Sequence, residues 1–172
     1  MPRSPASLLL HGTAWATAAY TLDAWVLGFG VFGALIGSVA ALIALARGLS
    51  AFGQRQRSHA FAHLGMIGIW VFTAALTLGT TRWQASHAKA HAETVIAACK
   101  AYQAANGAYP DTLQALVPTY LPSIPRAKYT LVAGKFAYYR GRPGQTMLMF
   151  TVIPPFMRTS YTFETDSWFT VD

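Results

Sequence analysis

Paired histidines, a carboxylate pair, one cysteine and a few serines are the residues of this sequence with the chemistry to form a site. His59 and His63, like His87 and His91, are four apart, so each pair presents two imidazoles on one helical face, as metal ligands do. The pairs do not combine. His63 and His87 are 24 residues apart, about 36 Å along a continuous helix, with an apolar run between them. Neither pair has a third ligand close by in sequence, and both read as polar residues flanking a membrane span. Glu164 and Asp166 share one face of an expected strand. A glycosidase-like pair or a calcium site needs convergence with further oxygens, and the other acids of this half are Glu93, Asp111 and Asp172. The simpler expectation is a solvated face paired with Arg or Lys across the strands. Cys99 is the only cysteine, which excludes an intrachain disulfide and a thiolate cluster; its alanine-rich helical setting suits a small buried hydrophobe. Gly-rich phosphate loop, GxSxG, CxxC and haem motifs are all missing, and no nucleophile motif surrounds Ser123, Ser160 or Ser167. The expectation is a non-enzyme with no catalytic residue, cofactor or metal and no small-molecule substrate.

The elements that carry these residues divide the chain in two. Of its 172 residues 53% are hydrophobic and only 11% are Asp, Glu, Lys or Arg, against roughly 25% charged residues in a soluble domain. The deficit is local: Ala24–Ala46 holds no charge, and neither does Leu64–Thr81. Each is read as a membrane span, which takes about 20 apolar residues, with Trp83 as an interfacial anchor after the second. Residues 6–22 are apolar but interrupted by His11, three threonines and Tyr20, and read as a third span or an interfacial helix, the span being preferred. The net charge is +7, but Arg47, Arg55 and Arg57 sit between the apolar runs and most other cations scatter along the second half. That arrangement lacks the single basic face a nucleic-acid binder needs. It fits a topology signal instead: the loop Arg47–His63, with three arginines and no acid, is expected in the cytoplasm. The segment after Thr81 is then extracytoplasmic, with the anchor in residues 1–81 and a folded domain in 82–172.

Residues 82–105 are alanine-rich and helix-favouring, with Ala88, Ala92, Val95, Cys99 and Tyr102 in one stripe and Asn106-Gly107 as the stop. Asp111 is expected to cap a short helix through Leu113, Leu116 and Val117, and Pro118, Pro122 and Pro125 give a loop. Residues 129–132, 135–140, 146–153, 160–165 and 168–171 are short β-branched or aromatic runs, some separated by Ala133-Gly134, Pro143-Gly144 and Pro154-Pro155. They read as antiparallel strands against which the helix packs. The fold class is therefore α+β: two or three transmembrane helices followed by a long helix packed on a small antiparallel sheet.

The stretch Val95–Pro125, with Ala101-Tyr102, Asn106-Gly107-Ala108-Tyr109-Pro110, Leu113, Leu116-Val117-Pro118, Tyr120-Leu121 and Ile124-Pro125, resembles the globular part of type II secretion pseudopilins and type IV pilins. The resemblance implies a pilin-like fold and covers about 45 residues. The family's basic leader, peptidase-site Gly and Glu at the fifth mature position do not precede Leu64. The implied object is a pilin-like domain on a multi-span anchor, outside the fibre-forming pathway.

Two features point to partners. Gly33, Gly37 and Ala41 lie four apart in the first long run, so helix backbones can approach closely there, either within the chain or with another membrane subunit. The adjacent pairs Tyr138-Tyr139 and Trp168-Phe169 send aromatic rings to both faces of the sheet, one of which a partner can cover. The function expected is that of a non-catalytic accessory or structural subunit of a bacterial envelope complex in the inner membrane, with the bilayer and other integral membrane subunits as partners. An assembly factor of pilus or type II secretion machinery and a membrane-anchored immunity protein are the alternatives.

Overall fold

In the computed structural model, which describes residues 4–28, 30–141, 145–153 and 157–171, three helices precede a four-stranded antiparallel sheet. The chain divides into two compact units, Met1–Thr81 and Arg82–Asp172.

Helix α1 (Pro5–Thr21) begins where Ser4 Oγ accepts the Ser7 N–H and Pro5 supplies a preset φ in the first turn. It passes into a π-helical turn, Leu22–Leu27, that Gly28 ends at φ 75°. Helix α2 is Phe32–Gly53. The uncharged run 24–46 is thus not one helix. Gly28 and Gly30, the latter at φ 69°, adopt a backbone that breaks the helix, and α2 then continues beyond Arg47. Helix α3, Arg57–Asn106, is 50 residues long and unbroken, so the expected second span and the helix that follows it are one element. It stops at Gly107, φ 77°, whose N–H returns to the Gln103 carbonyl at 2.8 Å, as the Asn-Gly pair predicts.

Within the first unit α1 runs in the same direction as α3. A Cβ on Gly65 would lie 3.0 Å from Leu9, and Tyr20 Oη is 3.1 Å from Thr80 Oγ1. Helix α2 runs the opposite way, with Gly33 beside Thr77, Gly37 against Trp70 and Gly48 beside His63. Small and hydroxyl residues fill the interior: Ala16, Gly33, Gly37, Ala44, Thr73 and Thr77 are buried. Thr73 and Thr77 donate to the carbonyls one turn back, at 2.8 and 2.9 Å, so their hydroxyls need no outside partner. Apart from Trp70, which is buried, the bulky apolar residues largely face outward, Leu10, Trp15, Leu42, Phe52, Phe61 and Phe72 being 65–71% exposed. Both α2 and α3 are long and apolar enough to cross a membrane; α1 has 17 residues.

In the second unit, α3 lays Ala88, Ala92, Val95, Ile96 and Cys99 against Leu148, Phe150, Tyr161 and Phe163, with Leu113, Leu116 and Leu121 completing the core. Tyr102 packs on its edge. The strands are β1 (Ala137–Arg140), β2 (Thr146–Ile153), β3 (Met157–Thr162) and β4 (Ser167–Val171), paired in chain order. Leu148 faces Tyr161, which faces Trp168, in the inward row; Met149, Ser160 and Phe169 make the next row outward.

Three local expectations change. Residues 129–132 form no strand, because their backbone bends back on itself: Ala127 N–H donates to the Gly134 carbonyl at 3.0 Å. Asp111 caps no helix; the short 3₁₀ turn Leu113–Leu116 follows Thr112, and Asp111 instead pairs with Arg140. The expected strand 160–165 lies earlier, at Met157–Thr162, since Asp166 takes a left-handed φ of 51° and 163–166 become the turn into β4. The Pro143-Gly144 and Pro154-Pro155 turns and Asp172 lie outside the described residues.

Candidate functional site

In the helical unit the chemistry centres on Asp23. It is the one acid among the first 92 residues, and it is 2% exposed. Its carboxylate accepts the Gly30 N–H at 2.9 Å and the Gly33 N–H at 2.5 Å, so it satisfies the donors that the start of α2 leaves open and carries negative charge to the positive end of that helix. Gly33 is required for this approach, because a Cβ there would stand 2.9 Å from Asp23 Oδ2 and 3.1 Å from Thr77 Oγ1. Gly37 brings α2 against α3: a Cβ would lie 3.1 Å from the Trp70 carbonyl oxygen, a backbone atom that cannot swing aside. Both glycines are buried in the chain's own helix packing, and Ala41 is half-buried.

The histidine pairs occupy different settings. His63 is buried where Gly48 of α2 passes, 3.2 Å from a Cβ built on that glycine. In the second unit, His87 Nδ1 lies 3.0 Å from the Trp83 carbonyl and His91 Nδ1 lies 2.7 Å from the Arg126 carbonyl. A carbonyl only accepts, so in each ring Nδ1 is the donor. The two rings meet edge to face at 6.4 Å, and Trp83 stacks on Tyr129 at 5.8 Å with 22° between planes. The result is an aromatic cluster that ties the 126–134 loop to α3. Among the described residues no three His, Cys, Asp or Glu side chains converge as metal ligands.

Glu164 and Asp166 do not act together. Glu164 accepts the Thr146 N–H at 2.7 Å, at the start of β2. Asp166 accepts from Lys100 Nζ at 2.8 Å and from the Tyr161 hydroxyl, and the Lys100 ammonium holds its carboxyl below the usual range. Lys100 is raised in turn by Asp166. Cys99 is fully buried, and burial pushes its thiol up to about 12, which makes it inert.

Lys128 is the largest fully buried side chain, 1% exposed, with its Nζ donating to the Val152 carbonyl. Burial pushes its pKa down to about 8. Sequence reading missed both Lys128 and Asp23. Asp23 had a legible signal, a single acid between two apolar runs, whereas Lys128 had none, since only the loop's return under β2 makes it interior.

The sheet aromatics split by face. Tyr138 donates to the Pro110 carbonyl at 2.8 Å and, with Trp168, packs on the core; burial raises the Tyr138 phenol. Tyr139 and Phe169 point the other way, 54% and 39% exposed. Between them on the outer face, Ser160 is fully covered, and among the described residues its hydroxyl is the buried side-chain polar atom without a hydrogen-bond partner. A cleft of about 440 Å³ lies between the 111–114 turn and the 124–136 loop, with Arg126, Lys135 and Phe136 in its wall. No protein family, curated protein or solved structure matches the chain.

Proposed function

We propose that the protein is a non-catalytic accessory subunit of a bacterial envelope complex, held in the inner membrane by the three-helix unit, with the second unit on the extracytoplasmic side. The observation that carries this reading is the inverted packing of the first unit: glycine, alanine and threonine line the interior around Trp70, while leucine, phenylalanine and Trp15 face out. In water such a surface aggregates; in a bilayer its outward side chains meet lipid and its small residues let the helices touch. The third span is supported by α1, which lies along α3 from Gly65 to Thr80 and so runs the length of the apolar stretch rather than across it. Arg47 near the end of α2, with Arg55 and Arg57 at the α2–α3 connection, supports a cytoplasmic turn, with Trp83 at the opposite interface.

The long helix against an antiparallel meander supports the pilin-like comparison and, with it, a second reading as an assembly factor for pilus or secretion machinery. Docking would use the outer sheet face around Tyr139 and Phe169, where aromatic side chains remain open. Purification of a tagged copy in mild detergent tests the main reading: a stoichiometric membrane protein should co-purify, and a clean monomer from native membranes contradicts it. A deletion strain with normal piliation and secretion contradicts the second.

A further inference from the structure

We infer that the 126–134 loop is a membrane-contacting element whose tip, Leu131 and Val132, enters the headgroup–acyl boundary of the bilayer. The inference rests on the reading that α3 crosses the membrane. Leu131 and Val132 are 74% and 65% exposed, side by side, on a segment with no strand to pair them. The loop that presents them is held firmly. Its neck is closed by Ala127 N–H on the Gly134 carbonyl at 3.0 Å, its turn by Ala133 N–H on Thr130 Oγ1 at 3.2 Å, and Thr130 itself is buried. Gly134 fits only as glycine, because a Cβ would stand 2.5 Å from the Thr130 carbonyl oxygen.

The occupant follows from what the loop is fastened to. Tyr129, at the tip's base, stacks on Trp83, and His91 holds the Arg126 carbonyl. Trp83 is two residues beyond the uncharged run of α3, at the position where tryptophan marks the membrane–water boundary. The stacking therefore sets the apolar tip beside that boundary. The flanking charge agrees: Arg126 and Lys135 bracket the loop, Arg82 precedes Trp83, and from residue 112 to residue 163 the chain has no acid. An apolar tip between cations is the arrangement that suits anionic phospholipid.

The test is site-directed fluorescence of the full-length protein in nanodiscs containing anionic lipid. An environment-sensitive thiol label is placed by Leu131→Cys, by Leu76→Cys within α3, and by Thr165→Cys in the β3–β4 turn, whose neighbour Asp166 is held by Lys100, about 26 Å along α3 from Trp83. Unsubstituted protein, whose Cys99 is buried, serves as the blank. Spin-labelled lipids should quench the label at 131 and at 76, and aqueous iodide should quench 131 severalfold less than 165. If 76 is lipid-quenched while 131 behaves like 165, the loop proposal is overturned and the span stands. If neither 76 nor 131 is quenched by lipid, both the loop and the crossing of α3 are overturned.

Discussion

Asp23 and Lys128 are charge-bearing side chains deeply enclosed in their respective units, and each has a consequence that can be measured. Asp23 holds two backbone N–H groups at the start of α2. Asp23→Ala leaves them without their acceptor and should lower stability by about 1–3 kcal/mol. Asp23→Asn keeps one accepting oxygen and should cost less; a thermal midpoint in detergent that Asp23→Ala leaves unchanged would show that the carboxylate caps nothing. Lys128 has its folded pKa depressed to about 8, against 10.5 for the unburied side chain. Between those values the unfolded chain holds a proton that the folded chain lacks, so stability should rise with pH from 8 upward. Lys100 is shifted the other way and weakens the fold only above the ordinary lysine value, while Tyr109, Tyr138 and Tyr161, all raised, weaken it above pH ~10. Cys99, raised from 9.0 to about 12 by burial, likewise weakens the fold from pH 9 upward, so the clean window is pH 8 to 9, where Lys128→Met should abolish the rise in midpoint that the unsubstituted protein shows. Neither role was fully legible from residue type. A lone acid in apolar sequence announces a site but not its partner, and a lysine in a polar loop gives no sign that the loop turns it inward.

At the scale of elements, the helices are fixed by glycine as much as by hydrophobicity. The Asn106-Gly107 stop was legible because the left-handed φ at Gly107 is a local requirement that glycine meets. The break after Leu27 was not, since Gly28 and Gly30 sit in an apolar run with the composition of one span, and only their positive φ with the Asp23 cap separates the π-helical turn from α2. The β2 run was read to its ends because the Pro143-Gly144 and Pro154-Pro155 pairs bracket its apolar and β-branched residues in the sequence. Residues 129–132 misled because their β-branched and aromatic types suit a strand, while the tie from Ala127 to Gly134 closes them into a loop. The α2–α3 contact makes a direct prediction. Gly37→Leu drives a side chain into the Trp70 carbonyl and should lower the thermal midpoint in detergent by the equivalent of about 1–3 kcal/mol. Gly68→Leu, with nothing within 4 Å of its Cβ, should leave the midpoint in place. Equal losses in the two variants would mean that α2 and α3 do not pack through Gly37.

The whole molecule joins a unit with an apolar exterior to one with an ordinary aromatic and aliphatic core, through a single helix. In the sequence, charge is absent from Leu64 to Thr81 and returns at Arg82, where the two compact units divide. The partner that the proposed function calls for was not legible, since exposed rings such as Tyr139 and Phe169 do not name what would cover them. The proposed function depends on which compartment that unit occupies, and paired reporters fused after Asp172 read this directly. On the proposed topology a C-terminal alkaline phosphatase is active and a C-terminal green fluorescent protein exported through the unfolded-chain route stays dark. A dark phosphatase with a bright fluorescent fusion would put residues 82–172 in the cytoplasm and contradict the account.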